Sequence, residues 1–384
     1  PRREPRLAQL QLVPLAAGQA LAVLVGVDGS IENRVVTVPA GLPPGALVHI
    51  GEVKTTSTAM SLTRLGAGGI EEFEITDLAE IPAVDDAFPV IWLNVYGVHD
   101  AAAMAAIGKH FDLHPLVIED ILNTDQRPKV DAFESYLFVV GRLYDSTRTR
   151  SDLAMDQVSM IIGHSFVLTF QERRSGTFDP IRQRLRKEKG ASLRRPSADY
   201  LAYTLLDAMV DGYFSIIERL GDKCEDLEEE ILGRPKKNVL QKMHELKREA
   251  SILRRTVWPM RELIGSLQRN HANFFSEETR LYLRDIYDHT VHLLEQLEDL
   301  RDLLTGLLDV YLSSASNRVN LEVRTLTLLT TVFMPAALVA GIFGMNFRSM
   351  PLLESPDGFW TALMLMGGVA LLLFGIFWSR KLFR

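Results

Sequence analysis

The chain has one cysteine, Cys224, in 384 residues, which excludes an internal disulfide framework and any paired-cysteine metal site and suits a reducing compartment. It has no HExxH pair and no spacing that suggests a nucleophile, base and orienting acid, so an enzyme is not expected. It has no lysine or arginine run interleaved with aromatics, and its net charge is −7, which argues against nucleic acid as a partner. The opening PRREPRLAQL lacks the charged-then-apolar pattern of a signal peptide, so nothing there directs export. With 47% hydrophobic and 24% charged residues, the composition is that of a folded chain of more than one domain.

Charge is also missing locally. Thr325 to Phe347 and Gly358 to Ser379 carry none, and each exceeds the roughly 20 apolar residues that cross a bilayer core. Arg318 and Arg324 precede the first stretch, and Arg380, Lys381 and Arg384 follow the second, so the positive-inside rule places both ends in the cytoplasm. The short segment between them, Arg348 to Asp357, then reads as an external hairpin loop, with Trp360 and Trp378 as interface anchors. Gly367, Gly368 and Gly375 suit close helix packing.

Ahead of the membrane the pattern changes twice. From about Ala20 to Val98, the runs LAVLVGV, RVVTVP, ALVHIGEV, IEEFEIT and VIWLNVYGV read as strands separated by turn residues. His99 to Asn123 takes helical spacing with Ala103, Ile107, Phe111, Leu116, Ile118 and Ile121 as apolar contacts, and His114 before Pro115 reads as a structural residue at a helix start. SYLFVVGRLY and QVSMIIGHSFVLTF are further strands, the second turning at Gly163-His164. After Pro196 the chain is helical: Asp199 to about Leu232, Lys236 to about Gln268, and a third pattern from near Ser276 that meets no strong breaker before Pro335. Carried to Gly344, the third would be roughly 100 Å long at about 1.5 Å per residue.

On the third helix, Asp288, Glu295, Asp302 and Asp309 recur at seven-residue steps, with His292, Asp299, Gly306, Ser313, Ser316 and Asn320 between or beyond them. The same step continues through Val323, Thr327, Thr330, Met334 and Ala337. Such a stripe is either the solvated face of a long helix or the lining of a water-filled path. Two spans per chain cannot enclose a path, so conduction requires several copies. The acidic run EDLEEE, Glu225 to Glu230, reads as a solvated helix face.

The first span ends in Gly344-Met345-Asn346, preceded by NRVNLEVRTLTLLTTVFMPAALVAGIF and followed by FRSMP. With the paired spans and the basic tail, this resembles the CorA family of divalent-cation channels. HPLVIEDILNTDQRPKV, YLRDIYDHT and GLLDVYLSSASNRVN carry the likeness upstream, to about Trp92. The resemblance implies an α/β cytoplasmic domain, a long helical stalk and two C-terminal transmembrane helices, assembled as a homopentameric funnel in the cell (inner) membrane and in contact with membrane lipid. Along this chain that divides into a mixed α/β domain at 1–195, an antiparallel helical pair at 196–275 and a stalk running into the first span at 276–345. The external loop is 346–357, the second span 358–379 and the tail 380–384.

The resemblance further implies Mg²⁺ as transported and regulatory ion, with Co²⁺ or Ni²⁺ also carried. Gly344, Met345 and Asn346 would form the selectivity filter, and Asn320, Val323, Leu326, Thr330, Met334 and Ala337 the pore lining and gate. Asp120, Asp285 and Asp309, with neighbours Glu119 and Asp288, would bind regulatory metal between subunits. Departures also stand out: Ala337 and Phe343 replace frequent Thr and Tyr, and Leu352 and Leu353 follow Met350-Pro351 where an acid is common. Arg348 and this reduced acidity of the loop keep open a Zn²⁺-carrying branch similar to ZntB. A membrane-anchored divalent-ion sensor that does not conduct is the alternative from another class.

Overall fold

The computed structural model describes residues 7–16, 19–26, 31–37, 47–66, 69–144, 155–187, 197–233, 238–271, 273–345 and 356–379. Two compact units emerge, the first built from Pro1–Glu218 with Ser251–Gln296 and the second from Arg219–Ala250 with Leu297–Arg384.

In the first unit, strands β1 (Leu7–Ala16), β2 (Gln19–Gly26) and β3 (Ile31–Thr37) form an antiparallel sheet. A seven-stranded sheet follows from β4 (Ala59–Gly66), β5 (Gly69–Ile75), β6 (Val90–Tyr96), β7 (Lys129–Ala132), β8 (Tyr136–Tyr144), β9 (Met155–Gly163) and β10 (Phe166–Gln171), in the order β5-β4-β6-β10-β9-β8-β7. Only β6 and β10 pair in parallel, at its centre. The sequence VIWLNVY explains that place: every residue of β6 is buried, as expected of an apolar strand covered on both faces. On one face Ile91, Leu93 and Val95 join Met104, Ile107, Ile118, Ile121 and Phe170 in a single core. On the other, Trp92 Nε1 donates to Thr169 Oγ1 at 2.9 Å, and the Arg182 guanidinium stacks on Trp92 at 4.8 Å.

Several local readings change. ALVHIGEV reads as a strand, but among its described residues only Ile50 pairs, in an isolated bridge to Asn123. Strands β1, β4 and β7 have no counterpart in the pattern reading. The helical spacing of His99 to Asn123 divides into α1 (Ala101–His110) and α2 (Pro115–Leu122), because Asp112 takes a left-handed φ of 52° and Pro115 restarts the helix. The restart shifts the helical phase, so Leu116 is exposed and Val117 buried in its place. His114 caps α2, its Nδ1 accepting from the Leu116 amide at 3.2 Å. The turn between β9 and β10 falls at His164 and Ser165, next to the Gly163-His164 pair.

The far end of α2 is clamped to the segment before β4. Ile50 N donates to Leu122 O and Thr124 N to Ile50 O, both at 2.9 Å. Gly51 makes this possible: its φ is 132°, and a Cβ there would lie 2.0 Å from Thr124 Oγ1. Gly51→Ala is therefore expected to lower the stability of this domain by about 1–3 kcal/mol, read as a lower denaturant midpoint. An unchanged midpoint would show that the clamp carries no strain-sensitive contact.

After α3 (Asp179–Lys187), the long helices are α4 (Ala198–Leu232), α5 (Val239–Asn270) and α6 (Glu277–Phe343), the last a 67-residue element that continues through Pro335. Their limits lie within three residues of those read from the apolar spacing. In the second unit Lys223 pairs with Glu249 at 3.0 Å and Lys242 with Glu230 at 2.6 Å, so the end of EDLEEE is partnered rather than solvated. α7 (Gly358–Ser379) is the remaining helix, and α6 and α7 are both long and apolar enough to cross a membrane.

Candidate cation site and pore face

The membrane part of α6 is open on nearly every side in the single chain, with 6% of its apolar window buried. Asn320, Val323, Leu326, Thr330, Met334 and Ala337 are all exposed in the single chain, Leu326 at 66% and Met334 at 64%, which leaves these large apolar side chains without cover from their own chain. The hydroxyls of Thr325, Thr327, Thr330 and Thr331 each donate to the carbonyl four residues back at 2.8 Å. Their hydrogens are thereby spent on the helix, and what remains outward is oxygen lone pairs. That chemistry suits a cation and its water shell.

The helix closes at Gly344, whose amide donates to Ala340 O at 2.9 Å, and at Met345, whose amide donates to Ile342 O at 3.1 Å. Asn346, with Arg348 and the loop to Ser355, lies outside the described residues. On α7, Trp360 and Trp378 are exposed and about 27 Å apart at 1.5 Å per residue, close to the thickness of a bilayer core. A Cβ at Gly367, Gly368 or Gly375 would meet nothing within 4 Å, so among the described residues no close helix packing occurs there.

A second site lies in the first unit, where α4 and α6 start together. Asp199, at the head of α4, accepts from the amide of Ser276, just ahead of α6, at 2.9 Å. One turn on, Tyr203 stacks on Tyr282 with ring centroids 5.0 Å apart. Another turn on, Asp207 and Asp211 of α4 meet His289 of α6, with one ligating atom from each within 4.8 Å of the others. Asp285, one turn before His289, places Oδ2 3.8 Å from its Nε2. Phe214 walls the imidazole edge-on at 5.8 Å, and His289 Nδ1 is buried without a hydrogen-bond partner.

Burial, then the Asp211 charge, push the Asp207 carboxyl up to about 6, with Asp285 adding to the effect and His289 and Arg184 opposing it. Two carboxylates and an imidazole gathered this way, with the Asp285 carboxylate beside the imidazole, form a donor set that fits a divalent cation: oxygen for Mg²⁺, nitrogen for Co²⁺, Ni²⁺ or Zn²⁺. The sign of the pH effect follows. Because the folded pKa is raised, the ionised Asp207 destabilises the metal-free fold above about pH 6, and this penalty disappears as pH falls from about 6 toward 4. In EDTA the thermal midpoint is expected to rise over that interval, and Asp207→Asn to remove this contribution. An identical pH profile in the variant would contradict it.

The acids named from the sequence do not converge in one chain. Asp285 approaches His289 at 3.8 Å, but Asp285, Asp120, Glu119, Asp288 and Asp309 all belong to no ligating group among the described residues. Glu119, Asp288 and Asp309 are exposed, whereas Asp120 is occupied: Oδ1 accepts from Gln126 Nε2 and Oδ2 from Lys129 Nζ, each at 2.6 Å. The segment after α2 is held in turn by Gln157 Nε2, which donates to Asn123 O at 2.8 Å, and by Arg142 Nη2, which donates to Gln126 O at 2.6 Å.

Residues 89–381 match the family model described as "CorA-like Mg2+ transporter protein". The chain belongs to the CorA family. It is 40% identical over 351 residues to the cobalt/magnesium transport protein CorA of Thermotoga maritima, spanning 91% of this chain and 99% of that one. It is 23% identical to the protein of the same name from Methanocaldococcus jannaschii, over 76% of this chain and 90% of that one.

Among solved structures it resembles the complete CorA magnesium transporter of Methanocaldococcus jannaschii, with TM-score 0.71 and 21% identity over 84% of this chain and 98% of that one. The ZntB cytoplasmic domain of Vibrio parahaemolyticus shares the fold at TM-score 0.56 and 11% identity, over 68% of this chain and all of that one. The α/β domain, long helix and two terminal apolar helices are thus a CorA architecture, and CorA family members are transporters rather than enzymes. Residues 1–60 match a second model, described as the HrcA protein C-terminal domain, and no residue assigned to cation handling falls within them.

Proposed function

We propose that this chain assembles as a homopentamer in the cell (inner) membrane, with both ends in the cytoplasm, and conducts divalent cations inward, chiefly Mg²⁺ and also Co²⁺ or Ni²⁺. The observation that carries this reading is the continuity of α6: acids at Asp288, Glu295, Asp302 and Asp309, then Asn320, then Thr327 and Thr330, follow one another at helical spacing, all exposed, on one helix that runs to Phe343 just before Gly344 and Met345. The relatives named as cobalt/magnesium transport proteins support the cargo.

Five copies of α6 would line the path. Leu326 and Met334 would form its apolar constriction, able to gate by dewetting. Five Asn346 amides would ring the outer mouth and hold Mg²⁺ through its water shell, without the tight binding a carboxylate ring would impose. No fuel is required, since a divalent ion crossing 100 mV gains about 4.6 kcal/mol at about 2.3 per charge. Regulatory Mg²⁺ at Asp207, Asp211, Asp285 and His289, and between subunits at Asp120, would stabilise the closed assembly. Its loss when cytoplasmic Mg²⁺ falls would let like charges repel.

His289 supports a second reading, in which Zn²⁺ is the cargo or regulator, because imidazole favours Zn²⁺ over Mg²⁺. Entry of Mg²⁺, Co²⁺ and Zn²⁺ into proteoliposomes, with the particle mass measured on the same preparation, distinguishes the cases. Mg²⁺ and Co²⁺ entry through a five-copy particle is expected. Zn²⁺ entry alone would favour the second reading, and no entry through intact particles would leave a sensor.

A further inference from the structure

We propose that Lys129 is a built-in competitor for the cation at Asp120, and that Asp131 is the place to which it withdraws, so that these two residues set the Mg²⁺ concentration at which the site fills. The proposal rests on the reading of Asp120 as a regulatory ligand and adds how its threshold is fixed.

The geometry is that of one ammonium shared by two carboxylates. Lys129 Nζ lies 2.6 Å from Asp120 Oδ2 and 3.1 Å from Asp131 Oδ2. All three side chains are partly exposed, at 35% for Lys129, 30% for Asp120 and 48% for Asp131, so a hydrated ion can reach them. The other oxygen of Asp120 holds a neutral amide, Gln126 Nε2, which fixes the carboxylate without cancelling its charge. The ammonium also sits 5.7 Å from the Phe138 ring centroid, which favours its staying over that ring.

An ammonium and a hydrated Mg²⁺ cannot both occupy the outer oxygen of Asp120, since each needs the same lone pairs and they repel. Binding therefore requires Lys129 to leave. Because Asp131 is already in contact, leaving does not strand the charge. Lys129 is strand β7 and Asp120 is helix α2, so ion entry loosens a tie between the sheet edge and the helix that carries the ligand.

The test is the half-saturating Mg²⁺ concentration for thermal stabilisation of the full-length protein. It is read in a D207N/D211N background so that the α4–α6 cluster contributes nothing. K129Q is expected to lower that concentration about fivefold, the upper end for one partly exposed ion pair. D131N should raise it about twofold by removing the refuge. K129R should stay within about twofold of the parent, and D120N should abolish the saturation and make K129Q silent. If D120N alters the response while K129Q and D131N do not, Asp120 is a ligand but the competition is absent and the proposal is overturned. If D120N has no effect, the reading of Asp120 fails and the proposal falls with it.

Discussion

Replacing Asn346 with Ala is expected to lower Mg²⁺ entry into proteoliposomes by roughly 70-fold, with the oligomer intact. The magnitude comes from the ring. Each amide that holds a water of the ion's shell is worth about 0.5 kcal/mol net, and the five copies of the proposed pentamer would sum to about 2.5 kcal/mol, at about 1.36 kcal/mol per decade. The described helix ends where the Gly344 and Met345 amides turn back onto Ala340 and Ile342, immediately before the proposed ring position. Asn346→Asp is expected to reduce entry as well, but by slowing release, so that entry saturates at lower Mg²⁺. Flux in Asn346→Ala equal to the parent would remove Asn346 from the path.

The second large effect concerns regulation. Mg²⁺ at ten times its dissociation constant stabilises a folded site by about 1.4 kcal/mol, a rise of about 2–4 °C for a domain of this size. Asp207→Asn with Asp211→Asn should remove the share of that rise that arises on α4 and α6 and leave the share that arises at Asp120, because the pair supplies two of the three ligating groups gathered there. The same variant should keep conducting when Mg²⁺ on the cytoplasmic side is high enough to close the parent. A full thermal response in the double variant would mean that the cation acts elsewhere.

What could be read from the sequence depended on the range over which its cause operates. The limits of α4, α5 and α6 followed from local spacing and breakers, and the end of the first span from the Gly344-Met345 pair. The His114 cap was equally local. The isolated bridge of Ile50 to Asn123 was not, because ALVHIGEV has strand composition and lacks only a neighbouring strand to pair with, which is a tertiary fact.

The cluster of Asp207, Asp211 and His289 was missed for a related reason. Two i,i+4 pairs of potential ligands, Asp207 with Asp211 and Asp285 with His289, are visible in the sequence, but they meet only through tertiary contacts such as Asp199 with the Ser276 amide and Tyr203 on Tyr282. Charge partners are harder still to read. Nothing in IEDIL says that the carboxylate of Asp120 is taken by Lys129 from the next strand.

Passive conduction of a divalent cation is tested most directly by Mg²⁺ entry into proteoliposomes carrying an inside-negative potassium diffusion potential, with no pH gradient. The account predicts entry that grows with the potential, needs no proton gradient or nucleotide, and falls sharply in Asn346→Ala. Entry that requires a proton gradient, or no entry through intact particles at any potential, would contradict it.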